Sequence, residues 1–259
     1  MAMKANELDG KQQELISARR SYMVAKSNDL IQKSRYSMGA QEQNILAVVI
    51  SAIKPEDEPD KLYSISIKEF CLVCNIDYTN GHNYEDVKRA LKSFADESIW
   101  VRKPDGKEVL LRWLDRVEIS PNSGTIEYSF HSAMTPYLFG LKKKYTQYQL
   151  DYYLPLTSKY AKRLYEYLKS QVEDLGGVSL TIDTLKEKID ATIYERFPDF
   201  RRNALEPAVR EINTYTDIKV SYELRKKSRA YHYIDFRMSK VEGVEMDIRT
   251  YNVYLKMWK

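Results

Sequence analysis

Phe200-Arg201-Arg202-Asn203-Ala204-Leu205-Glu206-Pro207-Ala208-Val209-Arg210-Glu211-Ile212-Asn213 is the stretch that decides the fold. Leu205, Val209 and Ile212 recur at spacings of four and three, which lines them along one face of a helix. With that face turned inward, Asn203, Glu206 and Arg210 point away from it, Arg202 sits on the flank and Arg201 leans towards the inner side. Upstream, Val178-Ser179-Leu180-Thr181 alternates as a strand does, a helix is expected over 183–189, and a connection containing Pro198 leads into the quoted helix. Downstream, Val220, Tyr222 and Leu224 alternate with polar residues, as do Tyr231 and Tyr233. That period of two predicts a hairpin over 219–238 whose tip is Arg225-Lys226-Lys227-Ser228-Arg229.

The same order occurs earlier in the chain. A strand at Tyr63-Ser64-Ile65-Ser66 precedes a helix over 67–74, a turn at Asn80-Gly81, a helix over 83–97 and a strand from Ile99. In that second helix Val87, Leu91 and Phe94 repeat the spacing of Leu205, Val209 and Ile212. Each unit also opens with a helix. One spans 41–53 and stops at Pro55; the other spans 158–173, with Ser158 as its N-cap, and stops at Gly176-Gly177. The first unit's trailing hairpin is expected from Ile99, through Pro104-Asp105-Gly106 and Ser123-Gly124, to Phe130. Three helices followed by a hairpin, twice over, predict an α+β chain of two tandem winged-helix domains, each a helix-turn-helix with a β-hairpin wing. The boundaries expected are a flexible arm over 1–25, domains over 26–141 and 142–240, and a tail over 241–259, with the join marked by Lys142-Lys143-Lys144.

Composition narrows the function classes. The chain of 259 residues is 43% hydrophobic and 30% charged, with a net charge of +4, so it has material for two packed cores and is only mildly basic. No apolar run approaches the roughly 18 residues that span a bilayer, and residues 1–20 have no secretory apolar core, so a cytoplasmic protein without a membrane partner is expected. Two cysteines, Cys71 and Cys74, make no disulfide framework. On the helix over 67–74 they read as small apolar residues; with His82 they fall short of the four ligands of structural zinc. His82, His131 and His232 stand too far apart to form the metal-binding pair of a rolling-circle nickase, and none of the nine glycines builds a phosphate-binding loop before Lys-Ser or Lys-Thr. No enzyme, cofactor or metal is expected.

The charged surface points to double-stranded DNA. In a helix-turn-helix the second helix enters the major groove, where Arg pairs with guanine, Asn with adenine and Glu with cytosine through paired donors and acceptors. Arg201, Arg202, Asn203, Glu206 and Arg210 are that kit. Lys226, Lys227, Ser228 and Arg229 form a compact basic tip suited to phosphates, which adds affinity and register without reading bases. Residues 141–170 hold seven Lys or Arg against two Asp or Glu, so Lys142, Lys143, Lys144, Lys159, Lys162, Arg163 and Lys169 read as a phosphate track. The first domain's second helix presents Glu85, Arg89, Lys92 and Asp96, a balanced set that suits Arg89 and Lys92 to phosphates, or the face to a protein partner. Leu110 to Ile119, with Trp113, is open to two readings, a dimer face or core. The 21 tyrosines suit half-buried sites beside polar partners; Tyr165, Tyr167, Tyr231 and Tyr233 are read as core.

Several stretches resemble plasmid replication initiators that bind iterons, the direct repeats of theta-type origins. They are Lys144-Tyr145-Thr146, Leu156-Thr157-Ser158-Lys159-Tyr160-Ala161-Lys162-Arg163-Leu164-Tyr165-Glu166, Phe200 to Leu205, Arg210-Glu211-Ile212-Asn213 and Tyr233-Ile234-Asp235-Phe236, with a looser likeness over 28–50. The resemblance implies two winged helices without catalysis and monomers on origin repeats. It also implies homodimers formed through the first domain, which repress the promoter at an inverted repeat, and recruitment of host helicase and initiation factors. It assigns DNA contact to Arg201, Arg202, Asn203, Glu206 and Arg210. The alternative is a transcription regulator of the same fold without an initiator role.

Overall fold

The computed structural model describes residues 22–74, 83–103, 105–120, 122–171 and 176–241. The Asn80-Gly81 turn, most of the arm and nearly all of the tail lie outside them.

The first winged helix is built around α2 (Ala40–Ile50), whose residues Ile45 to Ile50 are all buried. A helix apolar on every side needs cover on every side. α3 (Ile67–Cys74) and α4 (Asn83–Asp96) supply part of it. Val87, Leu91 and Phe94 of α4 form the expected inward stripe, and Cys71 and Cys74 are buried in α3 without a disulfide. Ahead of α2 come β1 (Met23–Ser27), α1 (Asn28–Lys33) and β2 (Ser34–Arg35).

Two expectations fail in this half. The trailing hairpin is two hairpins in separate sheets: β4 (Ser98–Arg102) with β5 (Glu108–Arg112), in sheet order β2-β4-β5, and β6 (Leu114–Ser120) with β7 (Thr125–Phe130), in order β3-β7-β6 with β3 (Tyr63–Ser66). The chain changes sheets at Trp113, which is 1% exposed, packs edge-on against Tyr36 at 5.7 Å and accepts a hydrogen bond at its carbonyl from the His131 N–H. The change of sheet thus falls at a core tryptophan, and of the two readings of this segment Trp113 takes the core one.

The second failure is the join. α5 (Thr135–Leu138) is followed by β8 (Tyr145–Gln149), which pairs antiparallel with β1 from Met23↔Gln149 to Ser27↔Tyr145. The stretch read as the opening of a second domain therefore closes on the first strand, and residues 23–25 of the supposed arm are ladder. The physical reason is that pairing between strands so distant in the chain leaves no mark in local pattern beyond the alternation of Thr146 and Tyr148, both buried.

α6 (Leu150–Tyr153) leads to α7 (Lys159–Lys169), capped by the Ser158 hydroxyl, which accepts from the Tyr160 and Ala161 N–H groups. Then follow β9 (Gly177–Thr181), α8 (Ile182–Lys188), α9 (Phe197–Phe200), one π turn (Arg201–Leu205), α10 (Glu206–Tyr215), β10 (Ile218–Lys227) and β11 (Ala230–Lys240), the last two in a sheet of order β10-β11-β9. Helices α8 and α9–α10 with the β10–β11 hairpin form the second helix-turn-helix and its wing. α7 packs against α8 and α10 on one side and α1 and α2 on the other, so Ala161 to Leu168 are all buried.

Candidate nucleic-acid interface

Helices α9 and α10 form one rod joined by the π turn. Pro207, lacking an N–H, cannot serve the carbonyl four residues back, and the π turn re-registers the ladder: the Glu206 N–H donates to the Arg201 carbonyl five residues back. Ala204, Leu205, Ala208 and Ile212 are buried, and Val209, half-buried, packs against the same core. Opposite this stripe Arg201, Arg202, Asn203, Glu206 and Arg210 are all exposed. Arg201 donates to Glu206 at 2.7 Å and Arg202 to Asp199 at 3.1 Å. The Glu206 carboxylate raises the Arg201 pKa above its ordinary value, so the guanidinium is a permanent charge. Pairs this exposed are weak in water and exchange readily for another anion. Arg210 and Asn203 make no side-chain hydrogen bond or ion pair among the described residues.

The rod is fixed at both ends. Near its C-terminus the Asn213 amide accepts from the Val220 N–H at 2.7 Å and donates to the Val220 carbonyl at 2.8 Å, imitating a strand partner. On the α7 side the Glu211 carboxylate accepts from the Thr157 and Ser158 N–H groups at 2.8 and 3.1 Å.

The hairpin β10–β11 ends in a two-residue loop, Ser228-Arg229, between the paired Lys227 and Ala230, with Ser228 at φ 61°. The basic run divides here. Arg225 is bound at the wing's root to Asp235 and, at 3.0 Å, to the Ser179 hydroxyl; with that guanidinium beside it Asp235 is held down to about 2. Lys226 lies 5.2 Å over the Tyr231 ring. Lys227, Ser228 and Arg229 are exposed, and no ion pair engages them among the described residues.

The phosphate track does not hold together. Lys162 is 0% exposed, its ammonium donating to the Asn44 side chain at 2.6 Å and the Tyr153 carbonyl at 2.8 Å, and burial lowers its pKa to about 7. Arg163 is buried as well and donates to the carbonyls of Lys188 and Ser34. Lys169 is bound to Asp217, and Lys159 donates to Asp190 at 2.7 Å. The reason is the position of α7 between the two winged helices: its cations fasten neighbours. Lys142, Lys143 and Lys144 are exposed. In the first unit Arg89 and Lys92 are exposed and paired with Asp86 and Asp96. Tyr165 and Tyr167 are core as expected, whereas Tyr233 is half-buried and Tyr231 is 43% exposed. Sequence reading missed Phe197 and Glu211 as parts of this face; Glu211 sits in a matched motif, but no spacing reveals that its partner is the start of α7.

Residues 23–169 match the family model described as Initiator Replication protein, WH1, and residues 181–238 the one described as Initiator Rep protein, WH2. The chain belongs to the replication-initiator family. The members of this family are DNA-binding proteins without a catalytic role, and in this initiator no group of three or more His, Cys, Asp or Glu is placed to hold a metal among the described residues. Nor is any helix among them long and apolar enough to cross a membrane. Escherichia coli has a Replication initiation protein that is 23% identical over 246 residues, covering 91% of this chain and 75% of its own. The E. coli PI protein is 27% identical over 142 residues, 48% of this chain and 47% of its own. A crystal structure of Pi initiator protein in complex with iteron DNA shares the fold at a TM-score of 0.66 and 21% identity, over 86% of this chain and 99% of that one.

Proposed function

We propose that this initiator starts plasmid replication by binding direct repeats in origin DNA, with the rod α9–α10 in a major groove and the β10–β11 wing on flanking phosphates. The observation that supports it is a rod buried along one side and bearing Arg201, Arg202, Asn203, Glu206 and Arg210 exposed along the other. That set combines the side chains that bond paired base-edge donors and acceptors. The relative of shared fold is solved on iteron DNA, which favours repeats as the target. Lys226, Lys227, Ser228 and Arg229 are assigned to phosphates, and Arg89 and Lys92 to phosphates reached from the first winged helix. Lys162 leaves the assignment because it is enclosed, and Lys159 because Asp190 holds it. Two helices on one DNA face dock about one helical turn apart, roughly 10 bp.

Dimerisation through the first winged helix, repression at a promoter inverted repeat and recruitment of host helicase belong to the same reading. The cross-strand pair Trp100 and Leu110, both about half exposed on β4 and β5, favours a protein contact there. The test is a mobility shift of the full chain on DNA flanking its gene, with direct repeats intact or scrambled, over a range of salt. Retarded bands that track the number of repeats and weaken with salt are expected. Equal retardation of scrambled DNA, or affinity indifferent to salt, overturns the proposal.

A further inference from the structure

The wing's ladder slips once. Arg225 faces Tyr233 but Lys226 faces Tyr231, so His232 is an extra residue in β11. A bulge of this kind re-aims the side chains beyond it. Lys226 continues the alternation of Tyr222 and Leu224, the side of the hairpin turned to the helices, and residues paired across strands share a face. Tyr231 therefore takes the inner place that unbroken alternation would give to His232. There its ring centroid lies 5.3 Å from that of Phe197, the first residue of α9, and Phe197 in turn lies 6.3 Å from the buried Phe200. On its other side Tyr231 carries the Lys226 ammonium. One half-exposed ring thus touches both the start of the reading helix and a cation of the wing.

We propose that Tyr231 is a positioning residue for DNA recognition: braced on Phe197, it sets the offset between wing and reading helix, so that phosphates and base edges are engaged in register. The inference rests on the DNA reading above. Without the brace, helix and wing each keep their contacts, but the two sets no longer fit one duplex together, and the loss falls on the matched target.

The experiment measures affinity of the full chain for a duplex bearing one origin repeat and for a scrambled duplex, with thermal melting as the control on folding. Tyr231→Ala is expected to lower target affinity about tenfold while scrambled-duplex affinity stays within about twofold. Tyr231→Phe, which keeps the ring, should match the parent on both. Lys227→Ala should cost less in the Tyr231→Ala background than in the parent. Tyr231→Leu, an apolar and bulky replacement, serves if the Ala variant fails to fold, and an intermediate loss is expected. A target-to-scrambled ratio unchanged in the Ala or Leu variant overturns the inference, as does a Tyr231→Phe variant that loses both duplexes alike, since that marks a hydroxyl bound to phosphate. A parent without preference for the repeat instead sinks the DNA reading itself.

Discussion

Replacing Lys226, Lys227 and Arg229 together with alanine tests the division of labour between wing and rod. Lys227 and Arg229 have no ion pair among the described residues, and Lys226 rests on a ring without being neutralised. Each phosphate a cation neutralises adds about 0.9 to the slope of log affinity against log salt. Three such contacts make the variant's slope shallower by about 2.7, and between roughly 50 and 200 mM salt the parent should lose about 40-fold more affinity than the variant. Because phosphates carry no sequence, target and scrambled duplexes should change alike. Fluorescence anisotropy with labelled duplexes reads both slopes. The tip is exposed and packs on no core, so folding stability should move by no more than about 0.5 kcal/mol. Arg225 is the internal control: bound to Asp235 and Ser179, it should affect melting more than slope when replaced. A triple variant with the parental slope, or one that loses the target alone, refutes the wing's assignment to phosphates.

Two further outcomes follow from the same geometry. Arg210→Ala should reduce the preference for target over scrambled duplex by on the order of 1–3 kcal/mol, whereas Arg201→Ala should cost less because its guanidinium already serves Glu206; an unchanged ratio in the Arg210 variant removes that residue from base reading. Lys162 titrates near 7 in the folded chain against 10.5 when exposed, so the unfolded state binds more protons between those values. Burial of the charged amine is most costly below pH 7, and stability from this group climbs as pH rises towards 10, by at most about 1.4 kcal/mol per pH unit. Urea melts from pH 7 to 9.5 should therefore show a flatter rise for Lys162→Met than for the parent, and parallel curves would show that the amine is charged throughout.

What was legible in the sequence is what short-range periodicity encodes. The stripes Val87-Leu91-Phe94 and Leu205-Ile212, the Ser158 cap and the basic hairpin tip each depend on residues within two turns or two strands of one another, and each is found. What was illegible depends on distant partners. Nothing near Met23 announces Gln149, and without that pairing α7 reads as a helix with one wet face. The π turn was hidden too, although Pro207 within the helix was its signal. The bulge at His232 misled the reading of Tyr233, since uniform alternation puts Tyr231 and Tyr233 on one face and the structure turns Tyr231 to the helices and Tyr233 to the other face.

The misplaced cations of α7 say most about how the two winged helices act as one reader. Lys162 reaches α2, Arg163 the ends of β2 and α8, and Glu166 accepts from Lys26 of β1 at 2.5 Å and from the Tyr148 hydroxyl. Arg163 also stacks on Tyr36 at 3.8 Å, and Lys188 donates to the Gln32 carbonyl at 2.7 Å. An apolar seam holds two bodies together but tolerates sliding; hydrogen bonds to buried charges are directional and costly to leave unmade. This seam therefore fixes an orientation as well as a contact. The reading rod packs on α7 and is tied through Glu211 to Thr157 and Ser158, which lead into and cap that helix, so that orientation passes to Arg202, Asn203 and Arg210. If both units touch one duplex, the ordering cost that two tethered domains meet on binding has already been met in folding. On the proposed DNA reading, charges expected to track phosphate serve recognition from inside, by setting where the exposed ones stand.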